Sequence, residues 1–381
     1  MSALTLSALA ENIFRARDTV ARELVGFIPS VLTNTDSDQV STGGTVDSIV
    51  TSQPIVNESI TPSMTIPNGD AQTIGVKQLT LDKTASVRIP MTGENAKKLS
   101  NLGQYQTAVD QMFEQAIRGV VNKIETNVGL ALNLAASRAV GTAATTPFAS
   151  DFKIAANVRK ELVDNGCPQS DLSLVVDTSA GTLLRQIAGL WQANTAGSDA
   201  TLRSGRLLDI YGLGIRESAG VAFHTKGTGT GDTLSGTPAI GSTELTFSAF
   251  TAGEYVPGDV IVIEDDPNKY VIASADHTAN KVTIQEPGLL KTGINGKTIT
   301  VQANHTANIG FHRLACELAM RPIADPVDGD AAYDQLIIAD DQSPLVFTVH
   351  MYKGYHAAMM EVTAVYGAKV WKPEFVMKLL G

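Results

Sequence analysis

The chain has 381 residues, of which 43% are hydrophobic and only 18% charged, with a net charge of −10. That length carries a sizeable core spread over two or three domains. An acidic chain whose only adjacent basic pairs are Lys97–Lys98 and Arg159–Lys160 excludes tight nonspecific binding to nucleic acid, and two distant cysteines, Cys167 and Cys316, exclude a disulfide framework.

Neither a run of the roughly 18 apolar residues that a membrane span needs nor a basic-then-apolar leader is visible, so a cytoplasmic product with no membrane partner is expected. Residues 3 to 28 predict an amphipathic helix: Leu6, Leu9, Ile13, Val20 and Leu24 share one face, and Gly26 and Pro29 stop it.

From Val31 to about Met91 the chain is rich in Thr and Ser, and no aromatic residue, Cys or His lies between Phe27 and Tyr105. Such a segment has little with which to offset the entropy of ordering its own backbone. It reads as an arm completed by other chains, punctuated by Pro54, Pro67 and Asn68–Gly69. Near its end, Leu79 and Leu81 alternate with polar residues, as do Ala85, Val87 and Ile89. The two runs predict strands of one hairpin. Leu79, Leu81, Val87, Arg88 and Ile89, with Lys77 and Lys83 beside them, are the expected contacts between subunits. The strand face is expected to be buried only between chains.

A long helix is predicted from Gln104 to about Val140, with Val109, Phe113, Ile117, Val120, Ile124, Val128 and Leu132 on one stripe. Gly119 and Gly129 weaken it, so packing must hold it. Helix, strand and helix follow between 149 and 187, with Leu172–Val176 as a buried strand. A loop rich in Ala, Gly, Ser and Asp covers 194 to 206. From Thr225 to Asn308 the helical pattern vanishes. Short strands are predicted at Leu245–Phe247, Val260–Ile263, Tyr270–Ala273, Val282–Ile284 and Ile299–Val301, separated by turns such as Pro257–Gly258 and Asn295–Gly296. This spacing predicts a small β-barrel or sandwich, inserted between two α/β segments. Phe311, Leu314, Ala315 and Leu318 predict a return to helix. Strands at 345–351 and 358–366 and an apolar tail from Val370 to Leu380 close the chain.

The six histidines lack metal-ligand spacing. Gly296–Lys297–Thr298 has Lys291 where a phosphate-binding loop needs Gly. The acidic clusters at 264–266 and at Asp325, Asp328 and Asp330 do not follow a calcium-loop pattern. No nucleophile–base constellation can be placed. The expectation is a non-enzyme with no catalytic residues, no cofactor and no metal.

The order of elements resembles the Hong Kong 97-type coat fold of tailed phages. Ile309–Arg313, running on to Ala319–Pro322, and Tyr366–Val370 with Lys372–Glu374 resemble segments of coat proteins of the short-tailed Salmonella-type phages. The insertion sits where that group carries an extra β-barrel domain. The resemblance implies an α+β major capsid protein. Its parts would be a helical N-arm (1–32), an extended loop forming a β-hairpin arm (33–98), and a peripheral domain with a spine helix (99–175). An axial domain returning to the peripheral domain (176–224 and 309–381) and an inserted β-barrel domain (225–308) complete it. It further implies self-assembly into hexamers and pentamers of an icosahedral virion capsid, put together in the host cytoplasm. The partners implied are copies of itself, a scaffolding protein and a portal, with double-stranded DNA enclosed without specific binding. Other readings of the same residues are a cellular nanocompartment shell protein, a carbohydrate- or cell-binding protein acting through the β insertion, and an α/β enzyme.

Overall fold

The computed structural model describes residues 26–34, 44–51, 62, 64–66, 74–101, 105–187, 209–326, 329–340 and 343–381. The expected N-terminal helix up to residue 25, most of the arm's punctuation and the loop at 194–206 lie outside them. The chain is an α+β protein.

After a 3-10 turn at Ile28–Ser30, β1 (Leu32–Asn34), β2 (Thr45–Thr51), β3 (Ile74–Thr80) and β4 (Lys83–Thr92) lead into α1 (Gly93–Asn101) and α2 (Tyr105–Ala135). Then come β5 (Arg138–Val140), α3 (Lys153–Asp164), β6 (Leu172–Val176), α4 (Thr178–Gln186), β7 (Leu213–Glu217) and β8 (Phe223–His224). The next strands are β9 (Leu234–Ser235), β10 (Glu244–Phe247), β11 (Val260–Ile263), β12 (Lys269–Asp276), β13 (Lys281–Ile284) and β14 (Ile299–Val301). The chain finishes with β15 (His305–His312), β16 (Cys316–Arg321), β17 (Ala332–Asp340), β18 (Ser343–Gly354), β19 (Ala357–Val370) and β20 (Val376–Leu380).

The long helix α2 has 31 residues, or about 46 Å at about 1.5 Å per residue. Its stripe of Val109, Phe113, Ile117, Val120, Ile124, Val128 and Leu132 is buried. Full burial of such a side chain is worth about 1.5–3 kcal/mol, which outweighs the propensity cost of Gly119 and Gly129. The helix ends earlier than the apolar pattern does. Ser137 donates through N and Oγ to Val376 O, and residues 138–140 become a strand beside β20. Unpaired backbone groups of β20 take precedence over local helical preference there.

Two sheets flank this helix. In the first, β19 is the axis: it pairs antiparallel with β16 and β18, while β4 lies along it from Thr92↔Ala357 to Lys83↔Tyr366. In the second, the order is β7-β6-β15-β20-β5, so β20 lies between antiparallel β15 and parallel β5.

The segment expected to be helical, Phe311–Leu318, is two strands joined by a 3-10 turn at Arg313–Ala315. All of β16 is buried, and β15 nearly so. Burial on both faces removes the period-two alternation that marks a strand, and Phe311, Leu314, Ala315 and Leu318 then mimic a helical period.

Between 225 and 308 the expected strands are present, with their own apolar core around Phe247, Tyr255, Ile261, Tyr270 and Ile284. The path runs β9-β10-β13-β12-β11-β14. Leu234 N donates to Lys297 O and Ile299 N to Asp232 O, each at about 2.9 Å or less, so the far end of the path bonds back to its start.

Candidate inter-subunit contact surface

The strands named as contacts do not pair with each other. β3 pairs with β2 in a two-stranded ribbon, Thr45↔Thr80 through Thr51↔Ile74, and β4 joins the body through β19. The expectation of one β3–β4 hairpin is therefore corrected. Only residues 81 and 82 separate the two strands, and β19 offers β4 a ten-residue ladder that a short hairpin could not match.

The ribbon meets the body at its root. Leu79 and Leu81 are buried in a cluster with Val46, Ala319 and Val365, under Trp371 and Ile323. Leu81 N donates to Gly44 O at 3.1 Å. Gly367 of β19 makes the docking possible, because a Cβ there would stand 2.2 Å from Thr80 O. Lys77 Nζ donates to Trp371 O at 3.0 Å, and Lys369 Nζ donates to Gln78 O at 2.8 Å. Trp371 is itself held by Glu317, whose Oε2 accepts from Nε1 at 2.6 Å while Oε1 accepts from Asn34. In the chain between β2 and β3, Met64 and Ile66 are 103% and 90% exposed.

On β4 the residues divide by face. Ala85, Val87 and Ile89 are half-buried against the core that contains α2, and Val87 Cγ2 lies over Gly119, at ordinary contact distance (3.7 Å) from where a Cβ would stand. Burial of this face only between chains is thus corrected: α2 covers it within one chain. Thr84, Ser86, Arg88 and Pro90 point the other way and are exposed. Arg88 Nε donates to Glu361 Oε1 at 3.0 Å from an exposed position. Lys83 is partly exposed opposite Tyr366. Lys77, Leu79 and Leu81 are brought together at the ribbon root, whereas Val87, Arg88 and Ile89 lie farther along β4.

Two further constructions were missed by sequence reading. Glu125 of α2 is buried and accepts from Gly26 N, Phe27 N and Ile28 N at 2.7, 2.8 and 3.0 Å, and from Ser218 Oγ at 2.7 Å. It fastens the chain just before β1 to α2. A charged residue inside an apolar helical stripe was the available signal. The second lies where the 225–308 segment meets the body. Lys378 of β20 is 0% exposed, and its Nζ donates to Gly258 O at 2.7 Å. Beside it Asp259 accepts from Val256 N and Gly227 N and pairs with His224 Nε2 at 2.9 Å. The His305 ring lies against His224, tilted by 39° with centroids 5.2 Å apart. Burial lowers Lys378 to about 7 and His305 to about 4. The two thiols are buried, which raises Cys316 to about 12 and Cys167 to about 11. Neither is a nucleophile near neutral pH.

No family model matches the chain, and no curated protein matches it in sequence. Among solved structures it is similar to a chain of Mycobacterium phage Che8, at 15% identity, over 93% of this chain and 90% of that one, with a TM-score of 0.47. It is similar to the capsid of cyanophage P-SCSP1u at 12% identity, over 92% and 86%, with a TM-score of 0.49. A virus-like particle from Pyrococcus furiosus is similar at 8% identity, over 97% and 98%, with a TM-score of 0.42. Among the described residues no helix is long and apolar enough to cross a membrane.

Proposed function

We propose that this chain is the major capsid protein of a tailed phage, assembling into hexamers and pentamers that close an icosahedral shell around packaged DNA. One observation carries the reading: a two-stranded ribbon docks on its own body at the root, and among the described residues in the chain between its strands Met64 and Ile66 are bare. An isolated two-stranded ribbon is marginal in water, and its open edges and these apolar side chains are completed by a neighbouring copy. Such a ring contact is heterologous, one patch meeting a different patch.

In this reading the ribbon belongs to the extended loop (33–98), α2 is the spine of the peripheral domain (99–175), and the two sheets serve the peripheral and axial domains. The segment 225–308, with its separate core and circular hydrogen bonding, is the inserted β-barrel domain. The outward row of β4 around Arg88, and Lys77 beside the ribbon root, face the neighbour. The negative net charge suits a wall that encloses DNA without gripping it. A scaffolding protein and a portal are the partners of assembly in the host cytoplasm.

The test is to express the chain alone and with a phage lysate, then image it by negative stain. Closed shells or capsomer-sized rings are expected. A stable monomer whose ribbon, 44–80, resists protease would overturn the reading.

A further inference from the structure

We propose that His350, Asp325 and Asp330 form a binding site for a divalent transition-metal ion of the zinc class, which pins the connection between β16 and β17 onto β18. His350 is on β18, and the two aspartates flank the turn that enters β17. One ligand atom from each, an imidazole nitrogen and two carboxylate oxygens, lies within 4.8 Å of the others. The imidazole is 3% exposed, whereas both carboxylates face solvent. A buried nitrogen ligand fixed on a sheet, with two hydrated oxygen ligands before it, leaves an entry path for the ion.

The spacing supports the assignment. His350 Nε2 and Asp325 Oδ1 are 3.3 Å apart. A charge-assisted hydrogen bond ordinarily closes to about 2.7–2.9 Å. Two ligands on a tetrahedral zinc ion with bonds of about 2.0–2.1 Å stand about 3.3–3.4 Å apart. Asp330, with an oxygen within 4.8 Å of both, supplies the third corner by closing on the ion, and water takes the fourth. The second layer is in place as well. Tyr352 OH donates to Asp330 Oδ2 at 2.5 Å, and Ala331 N donates to Oδ1 at 2.6 Å. The His350 ring stacks on Tyr352 with centroids 5.9 Å apart, which fixes its orientation. Oriented ligands of this kind favour zinc over hard cations, which prefer all-oxygen cages.

Titration calorimetry of the purified full chain with Zn2+ in a non-chelating buffer tests the site, with Co2+ visible absorption as the geometric readout. One ion per chain in the micromolar range is expected, with tetrahedral Co2+ bands. Tyr352→Phe should weaken binding about tenfold, and Asp325→Asn or Asp330→Asn should weaken it more. Both aspartates are exposed, so these variants fold even if His350→Gln does not. Absence of saturable binding overturns the proposal. Equal binding by both Asn variants also overturns it, since that result describes an adventitious ion only.

Discussion

Glu125 shows how much one side chain can decide. Its carboxylate receives three backbone N–H groups and one hydroxyl in a buried place. Glu125→Ala leaves those donors unpaired, and a stability loss of about 3 kcal/mol or more is expected in urea unfolding. Ser218→Ala removes one bond to a charged acceptor and should cost about 1.5–3 kcal/mol. Lys378 sets a different signature. Its folded value, about 7, lies below its ordinary 10.5, because burial disfavours the charge. Between those values the unfolded chain holds the proton and the folded chain does not, so stability rises with pH across that window. His305, lowered from 6.5 to about 4, acts in the same sense: stability falls as pH drops through that range. Unfolding free energies measured from pH 4 to pH 10 should show both slopes. Lys378→Met should flatten the upper one and leave the lower one. Neither group was legible as special in the sequence. Lys378 sits in an apolar tail and His305 among polar residues, and only the tertiary fold brings them to one seam.

At the scale of elements, the two faces of β4 separate folding from association. Val87 packs on α2 over Gly119. Val87→Asp therefore places a charge against the chain's own core, and a loss of about 2–4 kcal/mol in the unassembled chain is expected. Arg88 is on the opposite face with its own side chain 67% exposed, while Glu361 is 13% exposed, so Arg88→Gln, which removes the pair without adding a like charge, should change chain stability by about 1 kcal/mol or less. If that face meets a neighbour, Arg88→Gln lowers the yield of shells in sedimentation while the urea midpoint of the chain stays put. The alternation at 85–89 was readable because half-burial imposes period two. Its partner was not, since β4 pairs with a strand some 270 residues later, at Val87↔Val362. The strands from 244 to 301 were legible for the same reason, as each shows one face to a small core. β15 and β16 were not, because burial on both faces leaves no periodic contrast. The metal-ligand triad escaped a spacing search because His350 lies on a strand far from the aspartates in chain order.

For the molecule as a whole, the 225–308 segment has its own core but is not independent of the body. Tyr270 of β12 pairs with Arg138 of β5, Gln285 donates to Leu134 O, Lys269 to Gly141 O and Lys378 to Gly258 O. Excision of residues 227–303 with a short Gly/Ser bridge takes the partner from Lys378 and uncovers β5. The trimmed chain should unfold at lower urea, and adding Lys378→Met should restore part of the loss, read as the shift in midpoint. The sequence marked the limits of this segment by composition alone. It could not reveal the seam, which is built from residues on both sides of those limits. The place of β20 has a consequence for biosynthesis. This strand fills the slot between β15 and β5, yet the ribosome releases it after both. Until then the sheet stands open at its middle, with two unsatisfied edges and Ser137 lacking its acceptor. Copies interrupted by premature termination before residue 376 keep that gap, so an unfinished chain is marked by two bare sheet edges from the order of translation itself.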